Sequence, residues 1–221
     1  AIGNNATTAN AQTACVSIGQ LAECTTSNGI AIGLQARSNG TGSISIGEGS
    51  DAGTEAIAFG DTAQAAGARA IAIGHDAAAG ATEAIAIGIE AIASAAGAIA
   101  IGGDNTTGAT ASIAGAIAIG GEDGANGPAT ASTGARAVAI GSGSNATAAD
   151  AWQFGIGTNS TANTLQISAM TLVTQATTTT RAGLNVAHGT APSSPVNGDI
   201  WTTTAGLFVR VNGSTVGPLT A

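Results

Sequence analysis

The chain has 221 residues, a formal net charge of −8 with only five Lys or Arg, 8% charged and 2% aromatic residues, and 34 glycines. Ordinary globular domains carry about 25% charged residues and about 7% Gly, so this is not an ordinary globular composition. Five cations are too few to neutralise a phosphate backbone, which argues against nucleic acid as a partner. The 44% apolar fraction, much of it Ala and Ile at regular spacing, argues against a disordered chain.

No run of 18 or more apolar residues occurs, so neither a membrane-spanning helix nor membrane insertion is expected. The sequence opens on Ala1-Ile2-Gly3, without Met and in the middle of a repeat unit. It therefore reads as processed or cut from something longer, and a preceding signal segment is neither indicated nor excluded.

Ile-Gly or Phe-Gly closes an alternating run with glycines at 3, 19, 33, 47, 60, 74, 88, 102, 120 and 141. The underlying period is 14, with longer excursions after Gly102 and Gly120. Such a period is the mark of a stacked repeat architecture. Before each glycine the alternation is strictly of period two, a strand signal. The bulky positions are occupied by pairs such as Ile57/Phe59, Ile71/Ile73, Ile85/Ile87 and Ile99/Ile101. The places between them hold Ala, Ser or Gly. After each glycine, small residues recur at the third and fifth places, as in Ala63/Ala65 and Ala77/Ala79, with Glu23, Arg37, Asp51 and Gln64 among the residues between.

Residues 1–150 are accordingly expected to form an all-β, parallel β-roll or solenoid with coils of about 14 residues. Small residues from two short strands per coil face one another inside a thin roll. One outer sheet carries polar residues; the other carries the paired Ile columns, too much apolar surface for a soluble monomer to leave uncovered. Self-association with closed symmetry is the economical cover. On that reading Ile71, Ile73, Ile85, Ile87, Ile99 and Ile101 face neighbouring subunits. The opposite phasing, with Ile inside a thicker roll and Ala outside, gives a monomer, but it leaves the small residues on both strands without a reason.

Cys15 and Cys24 fall on inward positions of opposite strands within one coil. A disulfide between them is expected, implying an oxidising compartment or assembly outside the cell; the alternative is two buried free thiols. The excursions Gly103–Ser112 and Gly121–Thr133 are rich in Gly, Asn, Asp and Thr and read as loops budding from a coil. Asn105, Thr106, Thr107, Asp123 and Asn126 are the candidates there for contact with another surface. Residues 151–190 read as a neck or connector that includes the Thr177–Thr180 run, and 191–221 as a small C-terminal β module. Its hairpin is expected from Ile200–Thr203 and Leu207–Val211 across Thr204-Ala205-Gly206, with tight turns at Asn197-Gly198 and Asn212-Gly213.

Catalysis needs titratable groups converging in a pocket, and the sequence offers little. His75 follows a repeat glycine at a turn, His188 lies in the connector, and no paired carboxylates or metal-ligand spacing occur. Gly120-Gly121-Glu122-Asp123-Gly124 is a single acidic glycine-rich stretch without the nine-residue period of calcium-binding repeats. No cofactor is expected, and the chain is read as a non-enzyme.

The units Gly29-Ile30-Ala31-Ile32-Gly33, Ala84-Ile85-Ala86-Ile87-Gly88 and Ala98-Ile99-Ala100-Ile101-Gly102 resemble the head repeat of the YadA-like trimeric autotransporter adhesins. The resemblance implies a left-handed parallel β-roll packed as a homotrimer. Two departures are Ala in the place of the polar residue that often opens the motif, and the two insertions. The remainder does not resemble an autotransporter, whose membrane strands carry aromatic girdles. Instead 152–166, from Trp152-Gln153-Phe154-Gly155 to Thr164-Leu165-Gln166, is similar to a segment following such repeats in tailed-phage fibre proteins. Ala191-Pro192-Ser193-Ser194-Pro195 through Ile200-Trp201, with Gly206-Leu207-Phe208-Val209-Arg210-Val211-Asn212-Gly213, is similar to a C-terminal module of the same proteins.

Together these readings point to a structural attachment protein. The first is a trimeric phage tail fibre or spike segment, on the virion, whose loops or C-terminal module touch a host cell-surface receptor or glycan. Its further partners are other fibre or virion proteins, or copies joined end to end. The second is a secreted, extracellular bacterial trimeric adhesin or filament subunit. An ice-binding role lacks a Thr ladder, and a polysaccharide-cleaving one lacks acidic pairs in a groove.

Overall fold

A computed structural model describes residues 1–8, 14–103, 107–122, 127–131, 134–168 and 189–219, with the side chains of 130 and 131 left aside. The chain divides into two compact units, Ala1–Met170 and Thr171–Ala221.

The first unit is a β-solenoid. Its described strands form two eleven-stranded parallel sheets, strands alternating between the sheets along the chain. The bulky sheet holds the three-residue strands that precede each glycine, including Val16–Ile18, Ile57–Phe59, Ile71–Ile73, Ile85–Ile87 and Ile99–Ile101. The polar sheet holds the shorter strands that follow, including Glu23–Cys24, Arg37–Ser38, Asp51–Ala52 and Gln64–Ala65. Coils stack in strict register: Ile71 lies beside Ile85, Ala72 beside Ala86 and Ile73 beside Ile87, and the next coil repeats the match with Ile99, Ala100 and Ile101.

Alternation decides which side chains fill the roll, because successive residues of a strand point to opposite faces. Ala70, Ala72, Ala77 and Ala79 from one coil are all fully buried, as are Ala84, Ala86, Ala91 and Ala93 from the next. The core is therefore a column of methyl groups, and the bulky phasing is outward. In the regular coils side chains of this size fill the space between the two sheets. Where Ser replaces Ala the hydroxyls pair inside the roll: Ser38 with Ser43 at 2.5 Å and Ser45 with Ser50 at 2.7 Å. These pairings remove the cost of unsatisfied buried hydroxyls.

The repeat glycine has a geometric cause. Gly60 has φ +141°, and a Cβ there would lie 2.4 Å from the carbonyl oxygen of Gly74 in the next coil. Any side chain at this corner would hold the coils apart. The remaining corners need a left-handed residue, and non-glycine residues supply most of them, among them Asn28, Glu55, Arg69, Asp76, Glu83 and Glu90. The corners are laddered as well, since Arg69 donates its N–H to the Thr54 carbonyl at 2.9 Å and Glu83 to that of Ala68 at 2.9 Å.

Three boundaries differ from the sequence expectation. The ladders continue past residue 150: Trp152–Phe154 pairs with Val138–Ile140 and then with Leu165–Ile167. Gln153, fully buried, takes the inward place that Ala holds elsewhere, its amide donating to the Gly155 carbonyl at 3.0 Å and to Ser168 Oγ at 3.0 Å. The excursions are also shorter than 103–112 and 121–133. Thr110–Ala111 and Thr130–Ala131 are ladder strands of the polar sheet, and Ala109 and Ala129 are buried core residues. The first insertion therefore replaces only the two-residue corner after Gly102, and the second lengthens the corner after Gly120 by six residues and the stretch between Ala131 and Ala137 by one. Third, the C-terminal unit is a three-stranded antiparallel sheet of Ile200–Thr203, Gly206–Val211 and Ser214–Leu219. Thr203 pairs with Gly206, so the first turn has two residues, and Asn212 and Gly213, both at positive φ, turn the chain into the third strand.

Candidate self-association face

The bulky sheet presents two parallel columns of outward side chains along the roll. Ile71, Ile85, Ile87, Ile99 and Ile101 are half-buried, mainly because each leans on its neighbours above and below, and Ile73 is exposed. Phe59, stacked between Ile46 and Ile73 in the same column, is 51% exposed. All six isoleucines expected at an interface therefore lie on one continuous apolar surface. The columns run on through Trp152 and Leu165 on one side and Phe154 and Ile167 on the other. Trp152, 49% exposed, borders an open depression lined also by Asp150, Asn163, Thr164 and Leu165. Sequence reasoning missed this extension because Trp-Gln-Phe does not look like Ile-Ala-Ile.

Charges sit at the corners and on the polar sheet, and they pair one coil apart. Arg37 meets Asp51 at 2.7 Å, Arg69 meets Glu83 at 2.8 Å and Arg136 meets Asp150 at 2.6 Å. The hydrogen bond from Arg136 holds the Asp150 carboxyl below its usual range. A spacing of 14 between opposite charges was the available sequence signal for these pairs. Being exposed, each contributes little to stability; Arg69–Glu83 and Arg136–Asp150 make the corner before the bulky strand polar, and Arg37–Asp51 lies on the polar sheet.

Cys15 and Cys24 are joined by a disulfide with a Cα separation of 6.1 Å. It ties the two inner columns of one coil together, and Cys24 is fully buried. Room for the sulfur comes from the next coil. Gly29 stands where later coils have Ala, and a Cβ at Gly29 would lie 2.7 Å from Cys24 Sγ and 2.2 Å from Ser38 Oγ.

Of the candidate loop residues, Thr107 is exposed and donates a hydrogen bond to a Glu122 carboxylate oxygen at 2.6 Å, tying the two insertions together. Asn105, Thr106, Asp123 and Asn126 lie outside the described residues, as do His188 and Thr177–Thr180. His75 is exposed, with Nδ1 3.2 Å from an Asp76 carboxylate oxygen and Nε2 3.8 Å from one of Asp61. Among the described residues no three His, Cys, Asp or Glu side chains converge as a metal site would require. No helix among them is long and apolar enough to cross a membrane.

The family model for the YadA head domain repeat (2 copies) matches residues 27–50, 52–77 and 79–105. That stretch spans the regular coils whose isoleucines form the apolar columns. No curated protein gives a significant match to the chain. The roll is thus similar, in repeat and in architecture, to a structural head of adhesin type.

Proposed function

We propose that this chain is a structural attachment protein, and that three copies pack their bulky sheets together into a rod that projects from a tailed-phage virion. The observation that carries the proposal is the uninterrupted pair of apolar columns on the outside of a roll whose own core is already filled. Among the described residues of the solenoid no further layer covers them. Burying an Ile is worth roughly 1.5–3 kcal/mol, against about 0.8 kcal/mol for a methyl-sized group. Covering the part of each outward Ile that one copy leaves exposed therefore adds apolar stabilisation when copies meet. The rod spans distance, and the insertion loops or the C-terminal module meet a host cell-surface receptor or glycan. Chemistry plays no part in this role, and it needs neither cofactor, nucleic acid nor membrane insertion. Other fibre proteins, or copies joined end to end, are its further partners.

The phage assignment is supported by the resemblance of 152–166 and 191–213 to segments of tail-fibre proteins. A second reading, a secreted bacterial trimeric adhesin, is favoured by the match to the YadA head repeat, since such heads are parts of extracellular surface adhesins. The disulfide suits either extracellular setting. Immunogold labelling with antibody to the chain separates them. Label on purified tailed particles supports the fibre. Label confined to the surface of producing cells, in cultures free of particles, supports the adhesin, and label only in the cytoplasm removes both.

A further inference from the structure

The C-terminal unit has a second apolar surface, and its register defines it. Ile200 pairs with Val209, and Val209 with Val216; Leu207 pairs with Leu219, and Val211 with Ser214. Residues paired across strands share a face, so these aliphatic side chains gather on one side of the sheet. Trp201, Phe208, Arg210 and Thr215 gather on the other.

The two sides differ in how complete they are. On the second, the Trp201 and Phe208 rings stack with centroids 5.6 Å apart. Arg210 Nη1 donates to Thr215 Oγ1 at 3.0 Å, and Gly217 lies so near Phe208 that a Cβ would be 2.8 Å from its ring. On the first, Ile200, Val211, Val216 and Leu219 are 57, 46, 48 and 52% exposed. A sheet of three strands depends on covering a hydrophobic face, and among the described residues of this unit no second layer covers this one.

We infer that this aliphatic face is a second homotypic contact, in which copies of the sheet pack against one another through Ile200, Val209 and Val216. Charge decides the occupant. The face carries no ionisable side chain, so a charged partner would lose solvation there with nothing in return. A second copy of the same face offers an aliphatic surface of equal size and no charge, and closed symmetry lets each copy use the same residues. Each sheet is covalently continuous with a roll, so association of the rolls raises the local concentration of the sheets. In that respect the inference rests on the proposed assembly of the rolls.

The test uses the full chain. Its two native cysteines are joined to each other, so a Val216→Cys variant carries one free thiol on the aliphatic face and a Thr215→Cys variant one on the opposite face. Both are mildly oxidised at low protein concentration and run without reductant, and the mass of each unoxidised assembly is measured by light scattering. Interchain disulfide dimers are expected from Val216→Cys at ten-fold or more the yield from Thr215→Cys. Equal yields, or the reverse order, overturn the inference. A trimer in which the Val216→Cys thiol stays free overturns this contact and leaves the roll assembly standing. Efficient linking in particles whose mass is not three chains does the opposite.

Discussion

Ala72 and Ile73 are adjacent in one strand, yet Ala72 is completely buried inside the roll and Ile73 is 37% exposed on its outer face. The smaller residue is the core and the larger one is the surface. This inversion follows from a thin roll whose regular coils fill the space between the two sheets with Ala and Ser. It makes the inner columns intolerant of added volume. Ala72→Val should destabilise the fold by about 1–3 kcal/mol per subunit through overpacking, read as a lower midpoint in chemical denaturation. Ile73→Val, which changes volume only on the outside, should cost distinctly less. The reverse order would put the wrong face inside.

The disulfide should hold its coil shut. Its loop spans 9 residues, for which a disulfide is worth about 2–3 kcal/mol. The Cys15→Ser, Cys24→Ser double variant should show faster amide exchange at 16–24 and little change at 71–101. Gly29→Ala should damage the native protein, because its Cβ meets Cys24 and Ser38, although Ala is the residue at the same place in later coils. Full recovery of Gly29→Ala stability by also replacing Ser38 with Ala would assign the clash to Ser38 alone.

The first insertion should be removable in register. Gly102 and Gly120 are 18 apart where the repeat is 14, so deleting residues 104–107 leaves a corner of the usual length. The shortened chain is expected to keep its thermal midpoint within a few degrees while changing attachment to cells. The longer deletion of 105–110 should unfold that coil, because it removes core residue Ala109 and half of a ladder strand. A shortened chain that melts far below the parent would make the insertion part of the coil.

Acid should weaken one corner in a defined direction. The Asp150 carboxyl is held below its ordinary value by the hydrogen bond from Arg136. A depressed carboxyl contributes stability that is fully present above the unfolded value and is lost as pH falls through the folded one. Asp150→Asn should therefore lower the thermal midpoint slightly at neutral pH, and the difference from the parent should vanish in strong acid. A difference that grows on acidification would contradict the pairing.

The repeat, the two faces and the inward cysteines were legible in the sequence because period two and period 14 each leave their own residue pattern. Three things were not. Corners at Glu55, Arg69 and Glu83 are left-handed without being Gly or Asn, so no residue type announced them. The last coil was hidden because Gln153 takes an inward place that earlier coils fill with Ala and Ser; its amide nitrogen donates to Ser168 and the Gly155 carbonyl, while its Oε1 is buried without a partner among the described residues. The insertions were drawn too long because Ala109-Thr110-Ala111 resembles loop composition, and only pairing with Ile92–Ala93 reveals a strand.

Sedimentation of the full chain at the lowest detectable concentration, alongside Ile87→Asp and Gln64→Asp, bears most directly on the outward isoleucine columns as an interface. The native chain and Gln64→Asp, altered on the polar sheet, should sediment as elongated particles of three chains. Ile87→Asp places a charge in each copy of the proposed interface and should give monomers or unfolded chains. A native chain that remains a folded monomer under these conditions would contradict the assembly.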